Sequence, residues 1–206
     1  MGIDINIRVT GGAGQGVHTV GGLLCRLAVA AGHHFHATQE YMSRIRGGRN
    51  SYSVRVREAP VRAGRRQADI ALSLDPRHLP HILPSIAPSG IVVCDLPAGG
   101  AGSADPRVIA APLKELAVAA GSPILANIVG AGIVAHALGI PPETVVRVLT
   151  LEFKGDFLEK NRVAARLGAE WAGPRVTPGH RLPAAAVLPR MILSGNEALA
   201  LGAVAG

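Results

Sequence analysis

Two segments of this 206-residue chain carry residue types whose spacing bears on chemistry. The first is Gly12-Ala13-Gly14-Gln15-Gly16. It follows an alternating apolar stretch and precedes a helical one. Glycines in that setting let backbone N–H groups approach an anion at a helix N-terminus. The spacing departs from a dinucleotide fingerprint, because the third glycine of G-x-G-x-x-G would fall where Val17 stands. No Lys-Ser/Thr pair of a P-loop follows either. Three readings are open at this point: a free-standing nucleotide site, a phosphate-bearing ligand shared with another subunit, or a tight strand–helix turn. The second segment is Arg44-Ile45-Arg46-Gly47-Gly48-Arg49-Asn50, three guanidinium groups around a glycine pair in an expected loop. Planar guanidinium groups suit bidentate contacts to phosphate or carboxylate, so this loop would clamp phosphates or salt-bridge to a partner.

The formal net charge of +7 comes from this neighbourhood. Eight arginines and one acid, Glu58, lie between Arg44 and Arg66, and the rest of the chain is balanced. Of 21 basic residues 18 are arginine, which reflects either ligand chemistry or genomic base bias. Nucleic acid is the obvious partner for a basic run. It is disfavoured because only Tyr41 and Tyr52 are available to stack bases, and no helix-turn-helix or metal-finger spacing occurs. Arg55 and Arg57 fall on the strand face opposite Tyr52, Val54 and Val56, a face expected to be solvated or at an interface.

Other clusters carry less. His33, His34 and His36 have no acidic or cysteine ligand near them in sequence, and a strand would send neighbours to opposite faces. No metal site is expected. Cys25 and Cys94 sit in separate apolar runs and are expected to be buried thiols. No nucleophile–base pair, paired carboxylates or Cys-His arrangement can be argued from spacing. The longest apolar stretch, Ile124 to Leu138, is too short to span a bilayer. No N-terminal signal is visible, and a cytoplasmic protein without membrane contact is expected.

The elements that must position these residues are legible from periodicity. Ile3, Ile5, Ile7 and Val9 alternate with polar residues, the pattern of a half-buried strand. Val17 to Ala31 has helical spacing and stops at Gly32. Short strands are expected at 33–38, 52–57, 70–74, 91–94 and 108–110, with a loop at 41–50 and a proline-interrupted helix at 76–86. Helices are expected at 113–120, 124–138, 142–149 and 157–171. Proline and glycine then mark a linker, and a last helix starts at Glu197. The fold class is α/β: a three-layer Rossmann-like sheet with flanking helices and a helical C-terminal part. The expected organisation is a domain over 1–172, a linker over 173–190 and the opening of another domain over 191–206.

Separated blocks in this order resemble a known family. Gly12 to Gly16 with Gly21, Glu40 through Asn50, and the Tyr52–Arg57 strand are similar to the gamma domain of 2-oxoacid:ferredoxin (acceptor) oxidoreductases. So are Ala126 to Gly132, Phe153-Lys154, and Asn161 with Gly168. The 2-oxoglutarate type, with gamma fused ahead of an alpha domain, is the nearest resemblance, and Ser194 to Ala203 resembles the opening of that alpha domain. The resemblance implies oxidative decarboxylation of a 2-oxoacid with coenzyme A to acyl-CoA, CO2 and reduced ferredoxin. It implies thiamine diphosphate in the alpha and beta parts, iron–sulfur clusters in partners, and a chain with no catalytic residue of its own, inactive alone. It suggests coenzyme A phosphates, or a neighbouring subunit, as what the arginine loop meets. The candidate binding residues are therefore Gly12, Gly14, Gln15, Gly16, Arg44, Arg46, Gly47, Gly48, Arg49 and Asn50. The alternative is a stand-alone nucleotide- or flavin-binding α/β module.

Overall fold

Strand β1 (Asp4–Gly12) organises the molecule, because its two faces demand different neighbours. Ile5, Ile7 and Val9 are buried on one face, and Asn6, Arg8 and Thr10 point to the other. In the computed structural model, which describes residues 2–42, 48–97, 103–186 and 191–206, β1 lies inside a six-stranded sheet. The others are β2 (His34–Tyr41), β3 (Arg49–Arg57), β4 (Ala68–Ser73), β5 (Ile86–Asp95) and β6 (Val108–Ala111), in the order β2-β3-β1-β4-β5-β6. Strands β1, β4, β5 and β6 run parallel, and β3 is antiparallel to both β1 and β2.

The helices are α1 (Val17–Ala30), α2 (Leu79–Ile82), α3 (Leu113–Ala119), α4 (Ala126–Ala137), α5 (Pro142–Glu152), α6 (Gly155–Ala172) and α7 (Gly195–Ala205). Two expectations are corrected. The proline-interrupted helix expected over 76–86 is three consecutive short turns over 76–85, since Pro80 and Pro84 offer no N–H to continue one, and it ends a residue earlier, where Ile86 opens β5. The loop over 41–50 is shorter at both ends. Tyr41 closes β2, and Arg49 and Asn50 open β3, where Gly12, Gly11 and Tyr41 pair with them. Among the described residues no helix is long and apolar enough to cross a membrane.

Helices α1 and α3–α6 pack on the Ile7 face of the sheet and form the main core with Leu23, Leu27, Ile70, Leu72 and Ile133. The other face carries a thinner layer, where Leu79 and Ile82 cover Ala68, Ala71 and Val92. With so few aromatics, volume is filled by close backbone approach. A Cβ on Gly132 would overlap the Ala165 carbonyl oxygen, and one on Gly168 would overlap that of Val129. Helices α4 and α6 therefore meet backbone to backbone. Gly130 brings the α4 backbone onto a side chain of the sheet instead, with Leu72 2.7 Å from where a Cβ would stand.

Beyond α6, residues 173–186 run along the body as a strap. Val176 and Leu182 are buried, and the Leu182 and Ala185 N–H groups donate to the carbonyls of Leu138 (2.8 Å) and Ala31 (3.0 Å). His33 Nε2 sits 2.8 Å from the Pro183 carbonyl oxygen and His136 Nε2 3.1 Å from that of Val176. Helix α7 opens with a capping box between Ser194 and Glu197, and all its residues are exposed.

The polar face pairs part of the basic segment with acids. Asp4 lies opposite Arg57 across the β1–β3 ladder, with Arg55 two residues along on the same face. Arg55 donates to both Asp4 carboxylate oxygens, at 2.8 and 2.7 Å, with Arg57 3.8 Å away. Arg65 pairs with Asp69. Each of these three arginines thus has an acid partner within the chain. The hydrogen bond from Arg55, more than the nearby positive charge, holds the Asp4 carboxyl below the usual carboxylate range against a smaller opposing effect of burial.

Two outcomes follow. Gly168→Ala should lower unfolding stability by about 1–3 kcal/mol through overpacking, read as a fall of roughly 4–10 °C in thermal midpoint. Asp4→Asn should be less stable than the parent at neutral pH. Because the folded pKa of Asp4 is depressed, its contribution is full above the unfolded value. The gap between the two proteins should therefore close as pH falls below about 4 in denaturant titrations.

Candidate functional site

The Gly12–Gly16 loop joins β1 to α1 through two residues with left-handed backbone, Gly14 (φ 82°) and Gly16 (φ 77°). Any side chain would strain both positions. At Gly16 a Cβ would also overlap the Asn127 amide, so α4 seats its first turn directly on the loop. This accounts for Asn127 within the Ala126–Gly132 block. Gln15 closes the loop on itself: its Oε1 accepts from the Gly12 N–H at 2.6 Å, and its own N–H donates to the Gly12 carbonyl at 3.2 Å. Helix α1 has no side-chain cap and no acid in its first turn. Its leading N–H groups keep their partial positive charge for an incoming anion.

The loop opens into a cleft of about 290 Å³. Gly12, Gly14, Gly16 and His18 line one side, and Gln39, Tyr41, Asn50 and Tyr52 the other. The far side is a hydrogen-bonded chain. The Tyr41 hydroxyl donates to Gln39 Oε1, which turns Gln39 Nε2 toward His18 Nδ1 at 3.1 Å. The His18 proton then sits on Nε2. The His18 and Tyr52 rings lie 5.9 Å apart, tilted by 58°. Beneath them the Tyr52 hydroxyl is 3.9 Å from Cys25 Sγ. Burial pushes both groups up to about 12, so neither ionises near neutral pH. Ser51 also lines the cleft, and its hydroxyl donates to the Glu40 carboxylate at 2.9 Å.

The structure sorts the sequence candidates. Gly12, Gly14, Gly16 and Asn50 come together in the cleft. Gln15 stabilises the loop from within. Gly48 is buried. Arg49 opens β3 on the face opposite Asn50 and Tyr52, since neighbouring strand residues alternate. Its charge is felt there by Arg8 and by His78, whose imidazole is held below its usual range by burial first. Arg44, Arg46 and Gly47 lie outside the described residues. Sequence reasoning missed His18, Gln39, Tyr41 and Tyr52 as site residues. Their signal is register: Gln39 faces Tyr52 and Tyr41 faces Asn50 across the β2–β3 ladder.

Neither cysteine belongs to this site's chemistry. Cys25 is in the main core and Cys94 in the thin core on the opposite side of the sheet. Burial pushes both thiols up to about 12. Among the described residues no group of three metal-ligating side chains converges.

Comparison with known proteins places this architecture. The model of the pyruvate ferredoxin/flavodoxin oxidoreductase family matches residues 6–171. The alpha subunit of 2-oxoacid:ferredoxin oxidoreductase 2 from Aeropyrum pernix is 24% identical over 257 aligned residues, covering 99% of this chain and 40% of that subunit. The 2-oxoglutarate synthase subunit KorC from Archaeoglobus fulgidus is 29% identical over 176 residues, covering 84% of this chain and 90% of that protein. A 2-oxoglutarate:ferredoxin oxidoreductase structure from Magnetococcus marinus, with 2-oxoglutarate, coenzyme A and succinyl-CoA bound, shares the fold. It superimposes with a TM-score of 0.87 at 23% identity, over 98% of this chain and 37% of that one. This chain thus spans about 40% of the length of the Aeropyrum relative. From β1 through α6 the match is continuous, and the chain belongs to the pyruvate ferredoxin/flavodoxin oxidoreductase family.

Proposed function

We propose that this chain is the gamma part of a cytoplasmic 2-oxoacid:ferredoxin oxidoreductase and that it helps receive coenzyme A. The complex would decarboxylate a 2-oxoacid oxidatively, pass the acyl group to coenzyme A, release CO2 and send the electrons to ferredoxin. Thiamine diphosphate and the iron–sulfur clusters would sit in the alpha and beta parts. Cys25 and Cys94, on opposite faces of the sheet, do not come together as ligands of an iron–sulfur cluster. Residues 191–206 would open the thiamine-binding part.

One observation carries the reading: the uncapped N-terminus of α1 and the glycine loop open together into a cleft walled by Asn50, Gln39 and His18. Backbone N–H groups there suit a diphosphate, and a coenzyme bearing several phosphates also calls for cations nearby. Arg44 and Arg46, which lie in sequence between the cleft residues Tyr41 and Asn50, would supply them as bidentate donors. This chain would then hold and orient coenzyme A while the partners carry out the bond making and breaking.

In the assembled complex, Arg44→Ala with Arg46→Ala should raise KM for coenzyme A by about 10-fold or more, the loss of at least one charge-assisted hydrogen bond. Thiamine content and turnover at saturating coenzyme A should stay at parent level. Unchanged KM in an intact complex would remove these arginines from the coenzyme site. Loss of assembly would assign them to a subunit contact instead.

A further inference from the structure

A cleft of about 500 Å³ in the helical part shares no residue with the one at the glycine loop. It is walled by α4, the turn into α5, the first half of α5, one face of α6 and the strap at Pro178. Its volume is that of a small-molecule site. Helix α6 supplies the long wall. Glu159, Arg162, Val163, Arg166 and Ala169 recur there at helical spacing, over about 15 Å of the helix axis.

Most of the polar groups in this wall are already committed. Ala135, Ile140, Val145, Val163 and Ala165 offer only hydrocarbon side chains, and Pro141, Pro142 and Pro178 have no N–H to donate. In the turn, the Ala135 carbonyl accepts from the Ile140 N–H at 3.0 Å and the His136 carbonyl from the Gly139 N–H at 2.8 Å. The Pro141 carbonyl accepts from the Thr144 N–H at 3.0 Å. His136 Nε2 is turned to the Val176 carbonyl of the strap. Arg166 pairs with Glu170, and Arg162 Nη1 lies 2.7 Å from a Glu159 carboxylate oxygen. The exception is Arg162 Nε. It is shielded from solvent and has no hydrogen-bond partner among the described residues. A buried donor left unpaired is destabilising, so its acceptor has to come from outside the fold.

We infer that this cleft binds an aliphatic carboxylate, with its chain along α6 and its head group at Arg162. One charged acceptor answers Arg162 Nε, and hydrocarbon answers the rest of the wall. Arg162 and Arg166 against the single acid Glu159 leave the lining net positive, which favours an anion over a cation. A guanidinium fork can hold a second carboxylate on the edge that Glu159 leaves open. A peptide or a sugar would bring many polar groups into a wall with few partners for them. The bound chain would also rest on Pro178 and so brace the strap against α6.

The test titrates octanoate, octanol and octylammonium calorimetrically into the 206-residue chain at neutral pH, where octanoate is ionised. Octanoate should bind one to one and raise the thermal midpoint. Octanol should bind about tenfold more weakly, the loss of one charge-assisted hydrogen bond, and octylammonium should not bind. Arg162→Met keeps the aliphatic stem and removes the guanidinium. It should lower octanoate affinity by about tenfold and leave octanol affinity at parent level. Ala169→Phe, at a half-buried position, fills the cleft and should abolish binding of both. The Arg162→Met comparison keeps the test decisive if the phenylalanine variant folds badly. Equal affinity for octanoate and octanol overturns the inference, since the cleft would then only adsorb hydrocarbon. Parent-like octanoate binding in Arg162→Met, or in a folded Ala169→Phe, overturns it as well. So does the absence of saturable octanoate binding, which would leave water as the acceptor for Arg162 Nε.

Discussion

Backbone-to-backbone contact sets the terms for the rest of this structure. A domain with 3% aromatic residues cannot fill its interior with large rings, so its helices must come close. Gly132 and Gly168 let α4 and α6 touch through main-chain atoms, Gly130 lowers α4 onto Leu72, and Gly21 lowers α1 onto Tyr52. Dispersion attraction falls steeply with a gap of even half an ångström or so, so these contacts hold only at that spacing. The site inherits the constraint. Gly16 meets Asn127 because α4 is already held against the sheet, and the Tyr52 ring stands in the cleft wall because α1 lies flat across it.

Much of the fold was legible in the chain. The alternation of Ile5, Ile7 and Val9, the stop at Gly32 and the helical run before Trp171 each state a local preference that the tertiary structure keeps. What periodicity does not carry is which strands are neighbours. Arg49 and Asn50 read as loop because polar residues and glycines surround them, yet β1 and β2 on either side supply backbone partners that draw both into β3. Pro80 and Pro84 break a helix that apolar spacing alone would have continued.

The site was half legible for the same reason. Its glycines announce themselves by local conformation, since only glycine adopts the loop's left-handed backbone without strain. His18, Gln39 and Tyr41 announce nothing alone and acquire meaning from a register that pairs Gln39 with Tyr52. Charge misled in the opposite direction. Arg55, Arg57 and Arg65 belong to the basic segment, but their acid partners, Asp4 near the N-terminus and Asp69 just past Arg66, lie outside the window in which the charge was counted. A positive segment in a sequence is a statement about composition, and the sheet decides how much of it faces outward.

The strap has a consequence for how such a domain is tethered. Helix α6 ends at Ala172, but the chain does not leave the body there. It follows the surface until Ala185 is bonded to Ala31, and emerges beside α1 and β2. Residues 191–195, which come later in the chain, lie against α1 and β2 beside that point. A fusion made at the end of α6 would lose the buried Val176 and Leu182 and also this geometry. The exit point of a domain can thus matter to its partner as much as the surface it presents.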